Sequence, residues 1–144
     1  MDNRYDCLKL ENQICFPLYA ASRAMTKRYT PLLKELDLTY TQYITMMVMW
    51  DKKRATVGEI GEKLFLDSGT LTPLLKTLEK KGYIARDRDK EDERVRVITL
   101  TEKGESLKDK AVSVPPSLAK EVSLTEDEAK TLYSSLYKII SDLG

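Results

Sequence analysis

Ile14, Leu18, Ala21 and Met25 recur at intervals of three and four, and Leu32 continues the series. That spacing sets one apolar face on a helix from Asn12 to about Tyr29. Pro17 removes a donor from the hydrogen-bond ladder, so the helix either begins near Cys15 or is kinked there. Leu38-Thr39-Tyr40-Thr41-Gln42 opens a second helix, with Thr39 and Gln42 spaced as a capping box, and Ile44, Met47, Val48 and Trp50 carry it on. Thr56-Val57-Gly58-Glu59 spells another box ahead of a short helix through Ile60 and Leu64. Asp67-Ser68 then supplies N-cap residues for a fourth helix, predicted from Gly69 to Lys81 and ended by Gly82. Its buried stripe is Leu71, Leu74, Leu75 and Leu78, which leaves Thr70, Thr72, Lys76, Thr77 and Lys80 on the outer faces.

The period then shortens to two. Tyr83 to Arg88 predicts a strand, Asp89 to Glu93 a polar loop, and Arg94 to Leu100 a second strand, with β-branched residues supporting a hairpin. Thr101 reopens helix. After Pro115-Pro116, Thr125 and Glu128 cap a last helix carrying Leu132, Leu136, Ile139, Ile140 and Leu143. The predicted layout is four helices, a hairpin that is the only β signal, and two more helices: mainly α with a small β-hairpin.

Two short helices followed by a hairpin is the order of a winged helix-turn-helix. A recognition helix must bury one face while presenting small hydrogen-bonding groups to base edges and phosphates, and Ser68, Thr70, Thr72 and Lys76 suit that task. The hairpin carries Arg86, Arg88, Arg94 and Arg96, and an arginine at its tip suits a narrow A·T-rich minor groove. Asp87, Asp89, Glu91, Asp92 and Glu93 nearly cancel that charge; some of them are expected to pair with the arginines and hold the loop's shape. The competing reading is a solvated, charged hairpin with no partner.

Composition narrows function more than fold. At 144 residues the chain is most simply one domain, residues 1–144, able to bury roughly two thirds of its unfolded surface. It has no histidine, which excludes Ser-His-Asp and Cys-His nucleophile systems of the usual kind and every His-containing zinc site. Its six glycines are dispersed, so there is no phosphate loop. Neither a cofactor nor a metal is implied, and the chain reads as a non-enzyme. The net charge of +1 means that nucleic-acid binding would have to rest on a local basic arrangement. No apolar run approaches the ~20 residues that cross a bilayer, and the N-terminus lacks a signal-peptide pattern. Two cysteines do not make a disulfide framework, so the expected location is the reducing cytoplasm.

Cys15 stands among apolar and aromatic neighbours, and no acidic residue occurs between Glu11 and Glu35, an interval that holds Arg23, Lys27, Arg28 and Lys34. Thiols in positive surroundings tend towards the thiolate, which reacts with oxidants. If Pro17 lies in a first helical turn, the helix N-terminus adds to that field. The other reading is a small buried hydrophobe, as most free cysteines are. Tyr19 is four residues on and shares a helix face with Cys15. Tyr29 lies fourteen residues on, ~21 Å along a continuous helix, so it meets Cys15 of its own chain only if the helix bends sharply; a two-fold dimer offers the partner's Tyr29 as the other route. Each tyrosine also reads as a core aromatic. Cys7 is eight residues away, ~12 Å if helical, too far for a disulfide without a bend, and reads as a bystander.

The segment Phe65-Leu66-Asp67-Ser68-Gly69-Thr70-Leu71-Thr72-Pro73-Leu74-Leu75-Lys76 resembles the MarR family of bacterial transcriptional regulators. So do Gly82-Tyr83-Ile84, the wing motif Asp92-Glu93-Arg94 and Leu100-Thr101-Glu102-Lys103-Gly104. The run from Lys9 to Phe16, then Leu18-Tyr19-Ala20, is similar to the organic-hydroperoxide-sensing branch. The resemblance implies a homodimer, with dimerisation helices at about 8–34 and 102–144 and a winged helix-turn-helix at about 38–101. It places Asp67, Ser68, Gly69, Thr70, Thr72 and Lys76 on or beside the recognition-helix contact surface. Arg94 becomes the wing-tip arginine, Asp92 the acid that orders the wing around it, and Arg86 a phosphate contact. The implied partner is double-stranded, pseudo-palindromic, A·T-rich operator DNA, left by the repressor when organic hydroperoxide oxidises Cys15. Tyr19 and Tyr29 would hydrogen-bond the sulfur, one or both across the interface. The C-terminal half has no cysteine, so the chain looks like the one-cysteine type, in which a low-molecular-weight thiol caps the sulfenic acid.

Two other functions stay open on the sequence. One is a repressor of the same fold that responds to a phenolic or other small apolar ligand, with Cys15 as ordinary core. The other is a thiol peroxidase, for which the chain offers neither a resolving cysteine nor a peroxidase motif.

Overall fold

The computed structural model describes residues 3–144. The chain divides into two compact units, the first ending at Val114 and the second spanning Pro115–Gly144. Among the described residues there are seven α-helices and three strands.

Two short 3-10 turns, Asp6–Leu8 and Leu10–Asn12, lead into α1 (Cys15–Lys34). The helix therefore starts at the cysteine. Pro17 is its third residue, where a helix needs no intrahelical donor, and Leu18 N–H already donates to the Ile14 carbonyl at 3.2 Å. The C-terminal end of α1 packs into the core through Leu32 and Leu33, whereas Ile14, Leu18 and Met25 of the predicted apolar face are exposed.

α2 (Tyr40–Lys52) opens on the complete Thr39–Gln42 capping box. β1 (Arg54–Thr56) follows, then α3 (Val57–Leu64), whose first turn is held by Thr56 Oγ1 accepting from Glu59 N–H at 3.1 Å. The turn after α3 closes with Phe65 in the left-handed region and Leu66 N–H donating to Gly61 C=O. α4 (Ser68–Lys80) is capped by Asp67 and runs one residue earlier at each end than predicted. Gly82 then takes φ +86°, a conformation that suits glycine, and turns the chain into β2 (Ile84–Arg88). β3 (Arg96–Leu100) pairs antiparallel with β2, Arg86 opposite Ile98 and Arg88 opposite Arg96.

β3 also pairs on its other edge with β1, giving the sheet order β1-β3-β2. The hairpin expected to be the only β structure is thus two strands of three. β1 is three residues with no periodicity of its own; it is extended because β3 offers a free edge, with Ala55 opposite Ile98. Arg94 lies in the loop before β3 rather than on a strand.

The core sits where α2, α3, α4 and the sheet converge. Met46, Met49, Ile60, Leu71, Leu75, Leu78, Ile84 and Ile98 are fully buried, while Leu74 of the predicted stripe is half-buried at the edge. α5 (Glu102–Ala111) begins at Thr101, whose hydroxyl accepts from Gly104 N–H and donates to Gly82 C=O. Gly104 presses against the residue just before β2 so closely that a Cβ there would overlap the Tyr83 carbonyl oxygen. The Trp50 indole reaches across from α2 to donate to the Gly104 carbonyl at 2.9 Å.

α6 (Val114–Ala119) is a short helix the sequence did not predict. Pro115 and Pro116 fall in its first turn, where proline costs no hydrogen bond. In the second unit α7 (Glu126–Leu143) opens on the complete Thr125–Glu128 capping box, and none of its residues is buried. Three helices therefore follow the hairpin instead of two.

Candidate nucleic-acid interface and thiol site

Two caps fix the elements that shape the main groove. The Asp67 carboxylate accepts from Thr70 N–H at 2.7 Å, which orders the first turn of α4 and turns its free N–H groups outward beside Ser68. The Thr70 backbone N–H, helped by the Thr70 hydroxyl, holds the Asp67 carboxyl below its ordinary 3.8. Thr56 caps the neighbouring α3 in the same way.

The hairpin loop is ordered by two acids: Asp89 accepts from Glu91 N–H at 3.4 Å, and Asp92 makes the closer contacts. The Asp92 carboxylate accepts from Arg94 N–H at 3.1 Å, closing the turn, and also from Arg94 Nε at 3.1 Å and Nη2 at 3.4 Å. The Arg94 side chain first, then its backbone N–H, keep the Asp92 carboxyl below its ordinary 3.8. Arg94 is held yet 91% exposed, presented to solvent at the loop tip.

These elements enclose a groove of about 610 Å³. Ser68, Thr72, Leu75 and Lys76 of α4 form one wall; Arg86, Arg94, Val95 and Arg96 of the wing form the other; Thr56, Val57 and Gly58 close the end. Five of the nine residues predicted for DNA contact meet here: Ser68, Thr72, Lys76, Arg86 and Arg94. Asp67, Gly69, Thr70 and Asp92 are not in its lining, and the two acids act on backbone N–H groups instead. Four cations line the groove and no carboxylate does. The whole chain carries a charge of only +1, so this is a local gathering of cations, two of them paired outside the lining with Glu79 and Asp92. The groove also includes Arg96 and the N-terminus of α3, which the sequence reading did not select; the Thr56 cap was the available signal.

Arg86 is not free. Its Nε donates to Glu79 Oε1 of α4 at 3.2 Å, an ion pair that sequence reasoning missed because its partners come from a helix and a strand.

Cys15 is exposed at the first position of α1, and its sulfur has no hydrogen-bond partner among the described residues. Tyr19, one turn on, lies with the Arg23 guanidinium 5.5 Å from its ring centre. Tyr29 packs at the far end of α1, its ring 4.9 Å from Tyr40 and 5.7 Å from Tyr43. Burial, and then the neighbouring Tyr40, push the Tyr29 hydroxyl pKa up. The three predicted thiol-site residues are therefore not one cluster within a chain: Cys15 and Tyr19 are adjacent, and Tyr29 is apart. Tyr40 joins Tyr29 through a contact between helices that periodicity does not reveal. Cys7 is exposed, with its thiol donating to the Arg4 carbonyl at 3.3 Å.

Residues 27–111 match the family model described as transcriptional regulator SarA/Rot. The organic hydroperoxide resistance transcriptional regulator of Bacillus subtilis (strain 168) is 48% identical over 143 residues, 99% of this chain and 97% of that protein. The chain belongs to the MarR-type transcriptional regulators, in the organic hydroperoxide resistance branch. Family members of the same fold have been solved with DNA. Reduced AbfR, a Staphylococcus epidermidis protein, bound to DNA superposes with a TM-score of 0.80 at 34% identity, covering 97% of this chain and 98% of that one. AbfR is also known overoxidised on DNA and in a disulfide form. A mutant of Escherichia coli MarR complexed with operator DNA gives 0.81 at 26% identity, over 91% and 98% of the two chains. The chain has the winged-helix fold of these neighbours, with α3, α4 and the β2–β3 hairpin following one another in the order of that motif.

Proposed function

We propose that this regulator is a redox-sensing repressor that holds double-stranded operator DNA through the groove between α4 and the wing and lets go when organic hydroperoxide oxidises Cys15. The observation that carries the DNA reading is the groove itself: two capped helix N-termini, four cations, small hydroxyls and no acid on one concave face. Lys76, Arg86 and Arg96 suit phosphates, Ser68, Thr70 and Thr72 suit base edges, and Arg94 at the wing tip suits a narrow A·T-rich minor groove. Asp67, Gly69 and Asp92 shape the surface. Such a regulator acts where its operator is, in the cytoplasm. Among the described residues no helix is long and apolar enough to cross a membrane.

The redox reading rests on an exposed sulfur at a helix start and on the family's hydroperoxide-resistance and AbfR members. The Cys15 thiolate attacks the outer oxygen of the hydroperoxide. A sulfur–oxygen bond forms, the oxygen–oxygen bond breaks, and the alkoxide leaves and takes a proton to become the alcohol. The sulfenic acid then condenses with a low-molecular-weight thiol, giving a mixed disulfide and water. Tyr19 and the partner subunit's tyrosine equivalent to position 29 are the groups proposed to hold the reduced sulfur. The exposed Ile14 at the N-cap of α1, Leu18 and Met25 within it, and Leu132 and Leu143 of α7, support a homodimer built on the segments about 8–34 and 102–144, with about 38–101 on DNA.

The test is fluorescence anisotropy with a duplex selected from random sequence by the reduced protein. Cumene hydroperoxide plus a small thiol is expected to weaken binding at least 100-fold for the wild type and to leave Cys15→Ser bound. Release of Cys15→Ser by peroxide, or release of the wild type by salicylate and not by peroxide, would sink the redox reading, the latter in favour of a ligand-responsive repressor.

A further inference from the structure

Every cation in the groove is placed either by an acid or by nothing. Lys76 and Arg96 make no ion pair among the described residues, Arg94 is tied to Asp92 at the tip, and Arg86 is tied to Glu79. The last pair differs in kind. Asp92 belongs to the same short loop as Arg94, whereas Glu79 lies on the recognition helix α4 and Arg86 on the wing strand β2. It is also the more sheltered: the Arg86 side chain is 18% exposed and that of Glu79 is 40% exposed, against 91% for Arg94.

An acid beside a phosphate-binding arginine opposes DNA binding through its charge, so its presence here needs a reason. The geometry offers one. Glu79 takes only Nε of Arg86, at 3.2 Å, and the two terminal nitrogens have no other partner among the described residues. Guanidinium binds phosphate bidentately through a rigid, planar fork, so fixing one edge aims the other. The aimed edge belongs to a residue that lines the groove alongside Thr72 and Lys76. Left untethered, a long side chain would have to lose its rotamer freedom at the moment of binding.

We propose that Glu79 is a positioning residue for DNA binding: it holds the Arg86 guanidinium by Nε so that the terminal nitrogens form a preset fork for one backbone phosphate. This rests on the DNA-binding reading above. The pair also joins the wing strand to the recognition helix, so the phosphate contact is in register with the base-reading face.

The sign of a substitution separates positioning from plain electrostatics. Removing a negative charge near phosphates tightens binding if charge is all that matters. Under the proposal, Glu79→Ala weakens operator binding roughly 3- to 10-fold despite the lost charge. Its log-log salt slope falls by about 0.9, the value of one phosphate contact. Glu79→Gln keeps an oxygen acceptor for Nε and binds at least as tightly as the wild type. In an Arg86→Ala background, Glu79→Ala has no weakening effect. Equal tightening by both Glu79 variants, or a loss that persists without Arg86, would overturn the proposal. A measurement without DNA tests the hold directly: hydrogen exchange at the Arg86 Nε–H, read by 15N NMR, is slow in the wild type and Glu79→Gln and fast in Glu79→Ala. Fast exchange in the wild type refutes the tether. Failure of the wild type to bind any duplex while exchange is slow counts against the DNA reading and leaves the tether standing.

Discussion

At the scale of single residues, the acids of this interface are used for shape. Asp67 and Asp92 each commit a carboxylate to backbone N–H groups, of Thr70 and Arg94 respectively, and each is thereby held below its ordinary 3.8. A carboxyl lowered in the folded state contributes stability that is fully present above its unfolded value and lost as pH falls through the folded one. The first turn of α4 and the hairpin tip should therefore keep this stabilisation down to about pH 4, each losing it as pH falls through its own lowered value. In an NMR titration the Thr70 and Arg94 backbone amides should shift with midpoints under 3.8; midpoints at or above it would mean that these acids do not cap. None of the hairpin's acids is among the groove's lining residues, and Asp92 and Asp89 are engaged by N–H groups of the turn.

Elements here are set by local chemistry and then aligned by a few close approaches. The caps at Thr39, Thr56, Thr101 and Thr125 are legible in sequence because each is a short-range exchange between a hydroxyl and an N–H three residues on. The seating of α5 against β2 is not legible. It depends on Gly104 leaving room for the Tyr83 carbonyl and on Trp50 reaching the Gly104 carbonyl. A methyl at Gly104 must push α5 off the sheet or bend β2. Gly104→Ala should cost about 1–3 kcal/mol in urea unfolding, the usual range for overpacking, with a parallel loss of the buried Trp50 fluorescence signature. A stability within about 0.5 kcal/mol of wild type would show that the helix shifts freely, as surface sites do.

For the whole molecule, the first three turns of α1 are the telling feature. Ile14 is 72% exposed, and Leu18 and Met25 are exposed with it, although their spacing marks a face that water disfavours. The proposed homodimer would cover that face with a second copy, and it is the arrangement in which a partner tyrosine is expected to reach Cys15, since the chain's own Tyr29 packs at the far end of α1. Sedimentation should give a dimer at micromolar concentration, and Leu18→Glu should shift it to monomer. The monomer should also lose operator affinity, because two half-sites about 34–36 Å apart must be held at once. A wild-type monomer that binds DNA with full affinity would remove the inter-subunit thiol site.

The sequence by itself determined the first four helices, the β2–β3 hairpin, the last helix and their caps, and it placed Tyr19 one turn from Cys15, because all of these depend on residues within one or two turns of each other. Its family motifs carried the wing assignment of Asp92 and Arg94, which is again a contact across two residues. Tertiary structure alone decided the rest. β1 is a strand only because β3 has an edge to offer. Arg86 is tethered because the turn at Gly82 folds β2 back past Glu79, and Tyr29 meets Tyr40 because α1 packs on α2. In each case the partner comes from another element, and no local spacing encodes it.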